Sequence, residues 1–434
     1  MDDKIKEVCL EIYPDLSMKG EQVAGIAAIL NNKDVVVNLP VGFGKSVIFH
    51  ALPGVLNLYK KPNKVLVILP LTSIIKEQKD KLDKIGVKAV ALSQKCTLLT
   101  DEEADVSEAV LKSSVILAHP EAVLNAEKGV EILTSLDGKI GAIVVDECHK
   151  IDDWGKDFRK SFSELYILRS FFPKAPFACL SGTLTKHHIK SLSKSLHLAD
   201  VEYISVNPDK PNLLLHCLRK DKGDSLTVIE NIFKEQVDNL YKCREEFSVT
   251  LMFMPLQYIS HAMSYAYFIF GGREIVNLNN ALFGCLYSNQ DEEVMSCILS
   301  DLQTICPRFR LIFTTSVVGM GFDPPSVIHV IHCKPPRNLT NYLQEIGRAG
   351  RRGQSAKATL HFSNSDISRN LPGIQDDIIN YCHSNLCLRE CLLNIFSFSK
   401  SMNSPHGCSC CNICEKDCKC DDCLLVNTVV ELHV

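Results

Sequence analysis

Residues 34–39, Asp-Val-Val-Val-Asn-Leu, form a short apolar run that leads straight into Pro40-Val41-Gly42-Phe43-Gly44-Lys45-Ser46, after which an apolar helical pattern begins. A buried strand, a glycine-bearing loop and a helix in that order suit a parallel sheet covered by helices, with the loop at the strand's carboxyl end. The loop also has the chemistry of a phosphate cradle. Glycines permit the tight turn, backbone N–H groups at the helix start face phosphate oxygens, Lys45 reaches the β/γ oxygens and Ser46 ligates Mg²⁺. The first glycine of the strict eight-residue pattern is missing, since Leu39 stands there, but the Gly42-x-Gly44-Lys45-Ser46 core is intact. A nucleoside triphosphate with Mg²⁺ is the expected ligand.

At 434 residues the chain has room for about three units of roughly 150 residues each. Candidate strands at Asp34–Leu39, Val65–Leu69, Val115–Leu117, Ala142–Val145 and Phe177–Leu180 alternate with helical stretches, the pattern of a parallel α/β sheet. The breaker-rich Pro208-Asp209-Lys210-Pro211 follows. A second series, Val249–Phe253, Leu311–Thr314, Val327–His332 and Ala358–Phe362, predicts a second α/β lobe. Beyond Asp366 the strand pattern stops, and Ile378–Phe398 has helical spacing before a cysteine-rich end. The expected units are therefore 1–207, 208–365 and 366–434.

Two observations bear on membranes. Phe247–Gly272 carries no charged residue, but Pro255, Gln257, Ser260 and His261 interrupt it, and it reads as a core strand entering a helix. The N-terminus, Met1-Asp2-Asp3-Lys4, is acidic and lacks the apolar region of a secretory signal, so an intracellular chain without a membrane span is expected. A net charge of −4 neither requires nor excludes nucleic acid, because phosphate affinity depends on local cation placement.

Two further motifs complete a nucleotide site. Ala142–Val145 ends in Asp146-Glu147-Cys148-His149. A carboxylate pair at the end of a buried strand, about a hundred residues after a phosphate loop, suits Asp146 to the Mg²⁺ shell and Glu147 to orienting and deprotonating the attacking water. In the second series, Gln344-Glu345-Ile346-Gly347-Arg348-Ala349-Gly350-Arg351 places two arginines three residues apart, on one face if helical. Arg348 and Arg351 would neutralise charge as the γ-phosphate leaves. Glycines inside a short helix are costly unless packing or phosphate needs them.

With these motifs on the page, the chain resembles a RecQ helicase of superfamily 2 over roughly residues 10–425. The resemblance implies two recA-like lobes and a small helical zinc-binding domain. It implies that Gln22, with Lys19, reads the adenine edge, and that Leu69-Pro70-Leu71-Thr72-Ser73 through Gln78 lies along DNA. Trp154-Gly155-Lys156-Asp157-Phe158-Arg159 resembles the family's aromatic-rich loop, which senses single-stranded DNA. An aromatic face can stack on a base while Arg159 meets the backbone. Trp154, Asp157, Phe158 and Arg159 are thus expected to couple DNA to hydrolysis, together with His149, Gln344 and the Ser181-Gly182-Thr183 segment, which stands where the family has Thr-Ala-Thr. Gly319-Met320-Gly321-Phe322 resembles motif V, so Gly321 and Asp323 are expected at the nucleotide. Departures occur at Lys210, where the family has arginine before Pro-Asn, and at Leu286-Tyr287-Ser288-Asn289, which lacks the family's His and Gly.

Ten of the twenty cysteines lie between Cys382 and Cys423. The resemblance implies a structural Zn²⁺ held by Cys387, Cys408, Cys411 and Cys414, with Cys382, Cys391, Cys410, Cys418, Cys420 and Cys423 near enough to substitute. Four thiolates suit a closed tetrahedral site. Only about ten residues follow Cys423, so the winged helix of longer relatives is not expected and strand separation would rely on another wedge. The resulting expectation is an ATP-dependent 3′-to-5′ DNA helicase acting on single-stranded and branched DNA, in repair or recombination, with nuclear placement implied by the family alone. The alternatives are a DNA-stimulated translocase or RNA-directed remodeller with weak unwinding, and a silent DNA-binding scaffold. The intact set Lys45, Asp146, Glu147, Arg348 and Arg351 disfavours the scaffold.

Overall fold

The structure is a computed structural model that describes residues 1–99, 105–151, 160–316, 324–421 and 423. The chain divides into two compact units, Met1–Pro208 and Asp209–Val434.

The first unit is built on seven strands: β1 (Val35–Asn38), β2 (Lys64–Ile68), β3 (Ala89–Leu92), β4 (Val115–Ala118), β5 (Ile140–Val145), β6 (Phe177–Ser181) and β7 (Glu202–Ser205). All pair in parallel, in the order β3-β4-β2-β5-β6-β1-β7. The central strands are buried along nearly their whole length, which is why they read as mostly apolar runs instead of alternating ones. At the amino end of β1 a single carboxylate ties three segments. Asp34 is buried and accepts hydrogen bonds from the backbone N–H of Phe177 (2.8 Å) and of Ala199 (2.8 Å), and pairs with Arg169 at 2.7 Å.

The second unit carries six parallel strands, β8 (Leu213–Arg219), β9 (Thr250–Phe253), β10 (Phe283–Leu286), β11 (Leu311–Thr314), β12 (His329–His332) and β13 (Ala356–Phe362), in the order β10-β11-β9-β12-β13-β8. The uncharged segment near residue 250 is strand β9 followed by the helix Leu256–Ile269, and among the described residues no helix is long and apolar enough to cross a membrane. The helical stretch anticipated over Ile378–Phe398 is two helices, Asp376–Cys382 and Leu388–Ile395. Ile378, Tyr381, Leu388, Leu392, Cys410 and Cys411 pack in the same apolar core as the strands of this unit. The cysteine-rich end therefore shares the second unit's core and does not build one of its own.

Four strands are absent from the sequence expectation. Of these, β3, β7, β8 and β10 include every edge strand of both sheets. In β7 and β8 partial exposure dilutes the apolar signal, as in Glu202-Tyr-Ile-Ser, where none of the four residues is buried, whereas β3 and β10 are mostly buried but only four residues long.

Truncating Asp34 leaves two backbone N–H groups and a guanidinium without their acceptor. Asp34→Ala is expected to destabilise the first unit by about 3 kcal/mol, read as a lowered urea midpoint for that unit with the second unit's transition unmoved.

Candidate functional site

The phosphate loop leaves the carboxyl end of β1, and Lys45 caps the helix Ser46–Leu58, so Ser46 opens that helix as expected. Gly42 and Gly44 have φ of 83° and 91°, which L side chains rarely adopt. At Gly44 the space is also closed, because a Cβ there would lie 2.7 Å from Gln22 Nε2. Gln22 is buried in the first turn of the helix Gly20–Leu30. Its amide donates to the carbonyls of Phe43 (3.1 Å) and Gly44 (2.9 Å) and accepts from Lys19 N–H at 2.8 Å. Lys19 Nζ sits 3.8 Å from the centre of the Phe43 ring. The preceding motif thus braces the loop itself.

Three strand ends converge on that loop. Leu39 N–H donates to the carbonyl of Ser181 (2.9 Å), Cys148 N–H to that of Leu180 (3.0 Å) and Asp146 N–H to that of Ile68 (3.0 Å). Asn38, the one polar side chain in β1, is buried and grips both backbone polar groups of Leu184, at 3.2 and 3.0 Å. Its signal in the sequence is an amide within an otherwise apolar strand, and sequence reasoning passed over it. Lys45 Nζ lies 3.3 Å from Leu39 O, and a Cβ on Gly182 would come within 3.2 Å of the same ammonium. The glycine in Ser181-Gly182-Thr183 therefore gives the loop lysine room.

Asp146 and Glu147 sit where β5 ends. Burial pushes the Asp146 carboxyl up to about 7, the adjacent Glu147 adds to this, and the Lys45 charge opposes it. Glu147 has φ of 49°, the left-handed region, an uncommon and strained conformation for a non-glycine residue at a functional turn. Its Oε2 is buried and lies 3.3 Å from His149 Nδ1, which in turn is 3.0 Å from Ser181 Oγ. Burial holds His149 well below the ordinary imidazole range, so it is neutral. Thr183 N–H meets Ser181 Oγ at 3.3 Å. His149, Ser181 and Thr183 are therefore brought together behind the acidic pair.

In the second unit Arg348 and Arg351 do not share a helical face. The helix Leu339–Ile346 stops at Gly347, and both arginines lie in the turns that follow. Lys210 Nζ binds the carbonyls of Gly347 (2.6 Å) and Ala349 (3.1 Å), and Asn212 Nδ2 those of Gly350 (2.8 Å) and Gln354 (2.7 Å). Gly350 has φ of 67°, and a Cβ there would come within 2.4 Å of Asn212 Nδ2, so the glycines serve this turn. Arg348 is buried and Gln344 half-buried on the preceding helix. A cavity of about 360 Å³ opens at the ends of β9, β11 and β12, lined by Thr315, Ser316, Lys334, Arg337 and Asn341 among others. Trp154, Asp157, Phe158, Arg159, Gly321 and Asp323 lie outside the described residues.

The cysteine assignment needs one correction. Cys387, Cys411 and Cys414 come together with Cys410, not Cys408, their sulfurs all within 4.8 Å of one another. The backbone explains the exchange. Leu215 N–H donates to Cys410 O (3.3 Å), and Asn412 Oδ1 and Nδ2 bind the N–H and carbonyl of Cys217 (3.0 and 3.2 Å), which lays residues 410–412 along the edge of β8. Cys410 Sγ then faces Cys387 Sγ at 3.5 Å, while Cys408, in the turn Gly407–Ser409, faces Cys420 at 3.7 Å. The Cys-x-x-Cys-x-x-Cys spacing of 408, 411 and 414 gave no hint of this. The all-thiolate set fits zinc.

The family model described as DEAD/DEAH box helicase matches residues 20–192, and the one described as helicase conserved C-terminal domain matches 235–353, together more than half of the chain. The chain is 27% identical over 375 residues to the ATP-dependent helicase SGS1 of Saccharomyces cerevisiae, covering 85% of this chain and 24% of that protein. It is 26% identical over 455 residues to the ATP-dependent DNA helicase Q-like 2 of Arabidopsis thaliana, covering 100% of this chain and 59% of the relative. It thus spans from a quarter to three-fifths of these relatives' lengths. A crystal structure of the DUF1998 helicase MrfA bound to DNA and AMPPNP aligns with a TM-score of 0.64 at 14% identity, covering 92% of this chain and 58% of that one, a likeness of fold.

Removing the Gln22 amide frees two loop carbonyls. Gln22→Ala is expected to weaken nucleotide binding by roughly tenfold, the loss of about 1.4 kcal/mol, measured with a fluorescent ATP analogue, while the melting temperature changes little.

Proposed function

From a chain that belongs to the RecQ-like helicases of superfamily 2, we propose an ATP-dependent DNA helicase that moves 3′ to 5′ on single-stranded DNA and separates strands. The observation that carries the reading is the placement of Lys45 after the carboxyl end of β1 and of Asp146 and Glu147 after that of β5, in one parallel sheet. Lys45 binds the β/γ oxygens, and the loop N–H groups cradle the remaining phosphates. Ser46 and Asp146 hold Mg²⁺, which when bound neutralises phosphate charge. Glu147 orients the attacking water and accepts its proton, and His149, held neutral by burial and bonded to Ser181, lies 3.3 Å away without competing for that proton. Arg348 and Arg351, with backbones pinned by Lys210 and Asn212, supply charge to the leaving γ-phosphate; Gly321 and Asp323 complete the nucleotide contacts.

For DNA, the hydroxyls of Thr315 and Ser316 and the guanidinium of Arg337 suit a phosphate backbone, while Lys334 in the same cavity is paired with Asp366 at 3.3 Å. Trp154, Asp157, Phe158 and Arg159 sense the strand, and His149, Ser181, Thr183 and Gln344 relay that signal to hydrolysis. Cys387, Cys410, Cys411 and Cys414 would hold Zn²⁺, which would tie the start of the helix Leu388–Ile395 to the segment that lies along β8. A role on branched DNA in repair or recombination, in the nucleus, rests on the family likeness alone.

Duplexes with a 3′ or a 5′ single-stranded tail test the direction. Unwinding only of the 3′-tailed substrate supports it, and preference for the 5′ tail or for an RNA tail overturns it. Lys45→Ala is expected to cut ATP turnover at least a hundredfold, with DNA affinity in a gel-shift assay within about threefold of wild type.

A further inference from the structure

Cys408, Cys418, Cys420 and Cys423 form a group of their own, distinct from the one that includes Cys387, with all four sulfurs within 4.8 Å of one another. Cys408 and Cys420 sulfurs are 3.7 Å apart. A tetrahedron with metal–sulfur bonds of about 2.3 Å has edges of about 3.8 Å, whereas a disulfide would bring two sulfurs to about 2.0 Å. The separation is that of co-ligands.

Two independent features of the chain agree with this. Gly407 has φ of 55°, and a Cβ on it would lie 2.6 Å from Cys418 Sγ, so the glycine leaves the space this thiol needs to reach the cluster. The segment from Glu415 to Asp421 buries no side chain: Glu415, Lys416, Asp417, Lys419, Cys420 and Asp421 are exposed, and Cys418 is half-buried. A stretch with so little apolar burial cannot offset its own ordering entropy by packing and needs a cross-link.

We propose that Cys408, Cys418, Cys420 and Cys423 bind a second zinc ion as four thiolates, each thiol giving up its proton on binding. The two ligand sets interleave. Going along the chain, Cys408 belongs to the second site, Cys410, Cys411 and Cys414 to the first, and Cys418, Cys420 and Cys423 to the second again. The first site is fastened to β8 through Leu215, Cys217 and Asn412, so the second extends that anchorage to residues that no core holds. Four protein sulfurs leave no open position, which makes the site structural.

Zinc content of the full chain, purified under reducing conditions and measured by plasma mass spectrometry, tests this without any recourse to helicase activity. Two zinc ions per chain are expected, falling to one in the Cys420→Ser/Cys423→Ser double variant, with ATP turnover retained. One ion per chain in the wild type, a content unchanged by the double variant, or a disulfide among these cysteines in the intact mass would overturn the proposal. Should the double variant fail to fold, zinc-edge X-ray absorption of the wild type decides. Two ions with an average of four sulfurs each support it, and any other count or shell refutes it. Loss of zinc binding here would leave the proposed DNA helicase function untouched, and failure of that function would leave the zinc count untouched.

Discussion

The arrangement of the first unit depends on how its parallel strands end. Leu39, Cys148 and Asp146 each donate a backbone hydrogen bond to the neighbouring strand's last residues, and Asn38 fastens the segment after β6 to the end of β1. These bonds set the phosphate loop, the acidic pair and Ser181-Gly182-Thr183 at one edge of the sheet. A parallel sheet makes this possible because all its carboxyl ends lie on one side, where the loops are free to carry chemistry while the strands remain buried. Left-handed backbone also occurs at this edge: Glu147 and the loop glycines Gly42 and Gly44 follow strands whose residues are mostly buried.

Much of this was legible in the sequence because the signals were local. A strand, two glycines, a lysine and a serine specify a loop with little help from the rest of the chain, and a carboxylate pair after an apolar run marks a strand end. What was not legible depended on partners far away in sequence. Gln22 is recognisable as a motif residue, but only the fold shows its amide spent on Phe43 and Gly44. The arginine segment has helical spacing, yet Lys210 and Asn212, more than 130 residues earlier, unwind it by taking the carbonyls of Gly347, Ala349 and Gly350. Edge strands such as β7 escaped because one-sided burial leaves them polar.

The cysteine-rich end shows the same limit in another form. Ten cysteines in about forty residues advertise metal, but regular spacing pointed to Cys408 where the fold uses Cys410. The choice is made by the edge of β8, whose unpaired backbone groups capture residues 410–412 and so fix which thiol turns toward Cys387. Sheet and cysteine-rich segment are therefore one structural unit, consistent with the apolar core they share.

The most direct test is steady-state phosphate release by the full chain with MgATP, with and without single-stranded DNA. The account predicts slow release alone, at least tenfold stimulation by single-stranded DNA, and much weaker stimulation by RNA of the same length. Hydrolysis indifferent to DNA, or no hydrolysis while nucleotide still binds, would contradict it.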